Sequence, residues 1–411
     1  MELKTASLVF LAAVLLSLLV LKASWAISDR NIMALLPLPD VRRPVDICYG
    51  DGSVWVLDAG GRSVIELDSS SREVSGEFAM PSSLMTGRGS ISLSGFRPTE
   101  LLWAYGKLWV AGNGLHGAVL LFLDPSNGTW GAVEVPNAIL YSYGPVVGGW
   151  CLARGGGRVW TLVGTTAGAL VVEVDPHALA VVGYSASLPG GADICYGAGA
   201  LLILYAYVKV TPYGIAEVTR LYSYDPEEGR LSYFTSREGT STIMFARGGL
   251  LYIGHTPPRG QSYVLVFDIK ARSYIKTLET VPGAFSPIND LLVDSHGDVW
   301  FSEAGYFGVC GGRIWSRSGE VVAMCEAGDE IWMCSRAERT ELIIVDLSRA
   351  TSLLAIRLPS YIMGFPSTAF IPVASGAASA SGYVLVDKVL GHIRYKRWLR
   401  ERRGQPGSRA G

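Results

Sequence analysis

The chain has 411 residues, 49% of them hydrophobic and only 17% charged, with 49 glycines and 20 prolines. Apolar content this high, cut up by this much glycine, favours many short buried strands joined by tight turns, and repeat folds of such strands run this long as one unit. A formal net charge of -1 excludes the basic balance of a nucleic-acid binder.

Amide side chains are scarce: five Asn and two Gln in the whole chain. Avoidance of these thermolabile residues is a habit of proteins from hot environments. A thermophilic source is therefore one expectation, and genomic composition bias the other.

At the N-terminus, Lys4 precedes an apolar run from Leu8 to Leu21, and Lys22-Ala23-Ser24-Trp25-Ala26 follows. Residues 1–26 thus carry the n-region, h-region and small-residue cleavage site of an export signal. The apolar run falls short of the ~20 residues that a spanning helix needs. Cleavage after Ala26 is the first reading and an uncleaved anchor the second; both place the protein outside the cytoplasm, secreted or membrane-anchored. Next, Ile32–Pro39 (IMALLPLP) reads as an orphan strand, able to pair with late strands and latch a ring shut.

Residues 30–360 are built from one repeated unit. Asp46-Ile47-Cys48-Tyr49-Gly50 returns as Asp193-Ile194-Cys195-Tyr196-Gly197. Each copy opens an apolar strand, then a Gly turn, a strand with a central marker, a third strand ending in Asp, a polar turn and a fourth strand. The marker recurs as Trp55, Trp109, Trp160, Leu202, Tyr252, Trp300 and Trp332. The Asp recurs as Asp68, Asp124, Asp175, Asp225, Asp268 and Asp346, and the sixth copy lacks it. An Asp there can bond the backbone two residues on, and the Pro and Gly that often follow suit the same turn. Strands such as Ser53–Leu57 and Ala118–Leu123 are mostly apolar instead of alternating, as strands buried on both faces are.

A radial array of four-stranded sheets meets these demands: an all-β propeller, with seven blades the reading of the markers and six or eight left open. Only 32 residues separate Trp300 from Trp332. The sixth blade is therefore expected to lack a strand, or to be merged with its neighbour.

In a propeller, the connections between strands two and three share a face with the blade-to-blade links. The one–two turns are minimal (Asp51-Gly52, Gly106-Lys107, Gly248-Gly249), whereas the two–three connections Asn113–Gly117, Ala206–Glu217, Gly254–Ser262 and Glu303–Gly312 are longer. The links 82–99 and 137–149 are longer still. Function is expected on that face. There Asp46, Glu100, Asp193 and Asp290 open inner strands around the channel. Two roles are open to them: oxygen ligands for Ca²⁺ or another divalent cation, or acceptors for backbone N–H groups that close the ring. His255, Arg259, Glu303 and Tyr306 fall in loops of the same face as candidate ligand contacts. No nucleophile elbow, phosphate loop or zinc-protease motif is present, so no catalytic residue and no cofactor is assigned.

None of the six cysteines makes a CxxC pair. Cys310, Cys325 and Cys334 crowd into the last blades, where a disulfide and plain burial are both open. Asn127-Gly128-Thr129 is the glycosylation sequon, in an expected surface turn.

From Tyr361 to Val386 the chain carries no charge for 26 residues, and a run of Lys and Arg follows. Residues 361–388 read either as a spanning helix, with 389–411 as a basic cytoplasmic tail, or as strands of a closing blade. A solvated tail that meets lipid headgroups is a third reading.

The stretch Ile288–Glu303 (INDLLVDSHGDVWFSE) resembles the repeats of NHL and streptogramin-lyase-like propellers, and Gly52–Val56 and Gly106–Val110 share its pattern. The resemblance implies the propeller fold. The lyases use His and Glu with a divalent metal, a pattern with no residue-by-residue match here, and many propellers with this repeat are binding platforms. The expected function is an extracytoplasmic binding or scaffold module for a protein or glycan at the cell surface. A metal-assisted lyase or hydrolase at the channel mouth is the alternative.

Overall fold

The computed structural model of the chain describes residues 32–38 and 41–347, apart from 186, 189, 212–213, 282–285, 312–313, 317–319 and 337–339, together with 361–362 and 365–366. The export signal 1–26, nearly all of 361–388 and the tail 389–411 lie outside the described residues. Among the described residues no helix is long and apolar enough to cross a membrane.

Seven four-stranded antiparallel sheets form a β-propeller. From the channel outward, blade 1 is Pro44–Gly50, Ser53–Asp58, Ser63–Asp68 and Val74–Ala79. Blade 2 is Arg97–Ala104, Lys107–Asn113, Ala118–Asp124 and Thr129–Glu134. Blade 3 is Val146–Gly155, Arg158–Thr165, Gly168–Asp175 and Ala180–Tyr184. Blade 4 is Asp193–Gly197, Ala200–Thr211, Gly214–Asp225 and Arg230–Glu238. Blade 5 is Thr240–Arg247, Leu250–Thr256, Tyr263–Asp268 and Ser273–Glu279. Blade 6 is Ile288–Val293, Val299–Glu303, Tyr306–Val309 and Ile314–Ser316. Blade 7 takes Glu320–Ala327, Glu330–Arg336 and Thr340–Asp346 from the end of the propeller, and Ile32–Pro37 from its start.

That last strand is the latch. Leu36 lies opposite Leu342 and Pro37 opposite Glu341, and the Leu38 N–H donates to the Thr340 carbonyl at 3.0 Å. Leu38 and Val41 then enter the apolar cluster shared by blades 7 and 1. One such cluster fills each of the seven seams between blades. This is why the second and third strands are apolar on both faces: each blade has a neighbour on either side.

The repeat markers have identifiable work. The indole N–H groups of Trp55, Trp109 and Trp160 donate to the carbonyls of Gly50, Ala104 and Gly155, at the end of the adjoining first strand. The third-strand Asp side chains accept N–H groups two and three residues on: Ser70 and Ser71 for Asp68, His177 and Ala178 for Asp175, Glu227 and Glu228 for Asp225. Gly50 and Gly155 leave room for the next blade's Trp103 and Tyr196, whose rings a Cβ would strike. Trp103 in turn stacks on Trp55 at 5.7 Å.

Several expectations need correction. Blade 6 has all four strands; it is compressed because its third strand has four residues and its outer strand three. Glu303–Gly312 is no long loop, since Glu303 pairs directly with Tyr306 across a tight turn. Ala206–Glu217 is mostly strand, an extension of the blade 4 hairpin. The link 82–99 folds into a small hairpin, Ser83–Thr86 with Gly89–Ser92, and 137–149 opens with the short helix Asn137–Tyr143.

Candidate functional site

The four channel carboxylates occupy one ring. Asp46 accepts the N–H of its own neighbour Ile47 at 2.8 Å and of Leu101 in the next blade at 2.6 Å. Asp193 does the same with Ile194 (2.8 Å) and Met244 (2.7 Å), and Asp290 with Leu291 (2.8 Å) and Met324 (2.5 Å). Glu100 reaches Leu152 of blade 3 at 2.9 Å. Every one of them staples its blade to the following one. In the three remaining blades the equivalent place, one residue before the stapled N–H, is held by Cys151, Ile243 and Ala323. A β-bulge immediately precedes the ring position in six of the seven blades. Bulges re-aim side chains, and here they turn the ring residue toward the next blade.

Two backbone donors favour the charged form of a carboxylate, yet burial outweighs them. Asp46 and Asp193 are both pushed up to about 7, chiefly by burial. Glu100 and Asp290 are raised by burial first, and then by the negative charge of the other ring carboxylates. Asp193 is the buried one of the four; the other three are partly open along the channel but surrounded by protein. The ring therefore holds protons that ordinary surface carboxylates have lost. Among the described residues no three His, Cys, Asp or Glu side chains are grouped as metal ligands.

His255 and Glu303 occupy the same place in successive blades, three residues after the marker. The structure puts them in two different seams. His255 is buried between blades 4 and 5, where Nε2 meets the Glu238 carbonyl at 3.1 Å and Nδ1 meets the Ser241 hydroxyl at 2.8 Å. A carbonyl only accepts, so Nε2 carries the proton and Nδ1 accepts from Ser241. Burial first, and the nearby Arg237 charge, lower its pKa to about 4, so this is a neutral imidazole. A cavity of about 20 Å³, room for one water, adjoins it, lined by Leu204, Thr219, Leu221 and Phe267.

Glu303 is fully buried between blades 5 and 6, and among the described residues neither carboxyl oxygen has a hydrogen-bond partner. The two nearest hydroxyls donate elsewhere: Ser262 to the Ser286 carbonyl and Thr280 to the Ser262 carbonyl. With the Val281 N–H they lower its pKa from nearby, but burial dominates and raises it to about 7. On the same face Arg259 is exposed in its connection and Tyr306 is exposed where it opens the third strand of blade 6.

All six cysteines are free thiols. Cys325 and Cys334 lie on adjacent strands but face Trp332 and Ala323 respectively, not each other, and Cys310 belongs to a different blade. Burial raises the thiol pKa of all three. Asn127 is exposed in a turn between outer strands of blade 2, with its side-chain oxygen accepting the Thr129 N–H at 2.9 Å.

Sequence reasoning missed one cluster. The blade 4 hairpin carries Tyr205 stacked on Tyr207 (5.4 Å, 6°), and the Arg220 guanidinium lies over the Tyr207 ring at 4.6 Å. Tyr222 meets Tyr233 edge-on at 6.1 Å. The signal was the alternation of Tyr205, Tyr207 and of Arg220, Tyr222 on facing strands, which marks side chains on one face of a sheet.

No protein-family model matches the chain, and no curated protein matches it. Solved structures do. The hydrazine synthase of Kuenenia stuttgartiensis is 12% identical, covering 72% of this chain and 93% of that one, with a TM-score of 0.50. The propeller of Dos1 is also 12% identical, covering 74% and 77%, with a TM-score of 0.47. At such identity the likeness to the synthase concerns the fold alone.

Proposed function

We propose that this chain is an extracytoplasmic β-propeller binding module, related to the NHL-type propellers and held at the membrane by its terminal hydrophobic segments. It engages a protein or glycan partner through the face that carries the two–three connections and blade links. The observation that supports this reading is the contrast between the faces. The opposite face shows tight one–two and three–four turns, whereas this one carries the blade 4 hairpin, the exposed Arg259 and Tyr306, and the folded links after blades 1 and 2. A propeller suits such a task because its rigid seams hold many loops in fixed relation. Export from a thermophilic cell and glycosylation at Asn127 belong to the same proposal.

The test is crosslinking on intact cells, comparing a variant altered at Arg259 and Tyr306 with one altered at Asn127 and Glu227 on the opposite face. Loss of the crosslinked partner in the first alone is expected; equal loss in both overturns the reading. A second reading is a metal-assisted lyase or hydrolase at the channel mouth, with the ring carboxylates as ligands. Divalent metal in the purified protein, lost in the Asp46→Ala, Asp193→Ala double variant, would support it.

A further inference from the structure

The second and third strands of blade 4 have 12 residues each. Their counterparts in the other blades have at most eight. The innermost strand of the blade covers this hairpin only as far as Leu204, opposite Asp193. Tyr205–Thr211 therefore pair with the third strand on one side and, among the described residues, with no strand on the other. At ~3.4 Å per residue, this arm extends roughly 24 Å beyond the last inner-strand pair, with its open edge on the channel side.

The backbone direction along that edge is fixed. The Leu204 carbonyl accepts the Ala192 N–H at 2.8 Å, so it points inward. Alternation then directs the N–H and C=O groups of Ala206 and Val208 to the same side, beyond the reach of the inner strand. Ala206 is exposed, and Val208 is 60% exposed. An open row of donors and acceptors is a template for another strand, which proteins normally shorten, cover or charge. Lys209 alone would read as such a guard. The side chains beside it would not.

Tyr205, Tyr207 and Lys209 share one face of the arm with Arg220, which lies directly opposite Tyr205. Arg220 is half-buried, and its cation has a tyrosine ring instead of a carboxylate as its neighbour among the described residues. Glu217 belongs to the other face, where it bonds Thr240 of blade 5. Glu238 is the acid on the tyrosine face, but it stands on the outer strand, two strands from the open edge. Tyrosine and arginine are the side chains that anchor protein interfaces.

We propose that the open edge of the blade 4 hairpin is a strand-addition site for an extended acidic peptide segment of a partner protein. Backbone bonds to Ala206 and Val208 would hold the peptide, while Lys209 and Arg220 would pair with its carboxylates and Tyr205 and Tyr207 would pack against its remaining side chains. This rests on the binding-module reading and names the class of partner and its place.

The test uses the purified full chain and a fluorescent heptapeptide alternating glutamate and valine. Saturable binding is expected, weakened about tenfold by Arg220→Ala and abolished when alternate peptide amides are N-methylated. Val208→Pro removes the edge donor at a position where an edge strand tolerates proline, and it should abolish binding with an unchanged circular-dichroism spectrum. Equal binding of the N-methylated peptide, or of a lysine–valine peptide, overturns the proposal. So does displacement of interest from peptide to sugar: binding of a polyuronate with none of the peptide. Failure here with the Arg259 and Tyr306 crosslink intact would leave the binding module standing and move its partner elsewhere on the face.

Discussion

Blades 1 and 6 place a carboxylate at the same position, three residues after the tryptophan marker, and treat it in opposite ways. Asp58 is fully buried and accepts four backbone N–H groups: Arg43 and Gly60 on one oxygen at 2.8 and 2.9 Å, Arg42 and Gly61 on the other at 3.0 and 2.9 Å. Glu303 is equally buried and, among the described residues, accepts none. One extra methylene carries the Glu303 carboxyl past its own turn and into the seam, where the nearby hydroxyls already donate to carbonyls. Burial of a charge is tolerated where hydrogen bonds replace water and resisted where they do not. Asp58 is thus a fastener between the entering chain and the first blade, and Glu303 a proton holder.

The largest expected effect comes from breaking the satisfied member. Asp58→Ala leaves four N–H groups without their acceptor, and should cost on the order of 4 kcal/mol. Asp58→Asn keeps one accepting oxygen and should cost less. Denaturant unfolding of the two variants checks the order, and an Ala variant as stable as wild type would show that water substitutes for the carboxylate.

A smaller effect, with a pH signature, is expected at Glu303. Its folded pKa of about 7 exceeds the ordinary 4.5, so the folded state binds the proton more tightly than the unfolded chain does. That stabilisation is fully present below about 4.5 and is lost as pH rises through 7, a change of about 3 kcal/mol at most. Glu303→Gln mimics the protonated acid. It should match wild type near pH 5 and exceed it at pH 8; an unchanged difference across that range would place the titration elsewhere. The channel carboxylates add the same sign to both proteins, so the wild-type-minus-Gln difference isolates the seam.

Which of these features could be read in advance follows from where their partners lie. The blade plan was legible because each marker acts within its own repeat: Trp55 on Gly50, Asp68 on Ser70 and Ser71. The latch was legible because Ile32–Pro37 has a fourth strand's pattern with no blade before it. The ring residues could be located by their spacing from the marker. That they accept backbone N–H groups was one of the two roles open to them, but which N–H could not be read, because it comes from the next blade, 55 residues away for Asp46 and Leu101. The blade 4 arm reads as a loop in the sequence, since Lys209 and Pro212 interrupt its apolar pattern, whereas an arm standing free in solvent has no need of that pattern. The contrast between Asp58 and Glu303 was invisible for a similar reason. It depends on whether local N–H groups or a neighbouring blade's hydroxyls surround the carboxyl.

The seam between them in chemical character, at His255, sharpens the comparison with the smallest effect. Burial lowers its pKa to about 4 from the ordinary 6.5, so the folded state binds the proton less tightly than the unfolded chain. Its contribution is present above about 6.5 and is lost as pH falls toward 4, about 2 kcal/mol of it by pH 5. This slope opposes that of Glu303 in the adjacent blade. The two windows overlap between about pH 4.5 and 6.5, where the Glu303 and ring slopes offset that of His255, so the His255 contribution is read as a difference between wild type and variant. His255→Gln removes the acid-side loss while keeping a donor for the Glu238 carbonyl. Thermal melts between pH 5 and 8 should then show a wild-type advantage near neutrality that shrinks toward pH 5. A constant difference at every pH would mean that His255 contributes packing and hydrogen bonds but no titration.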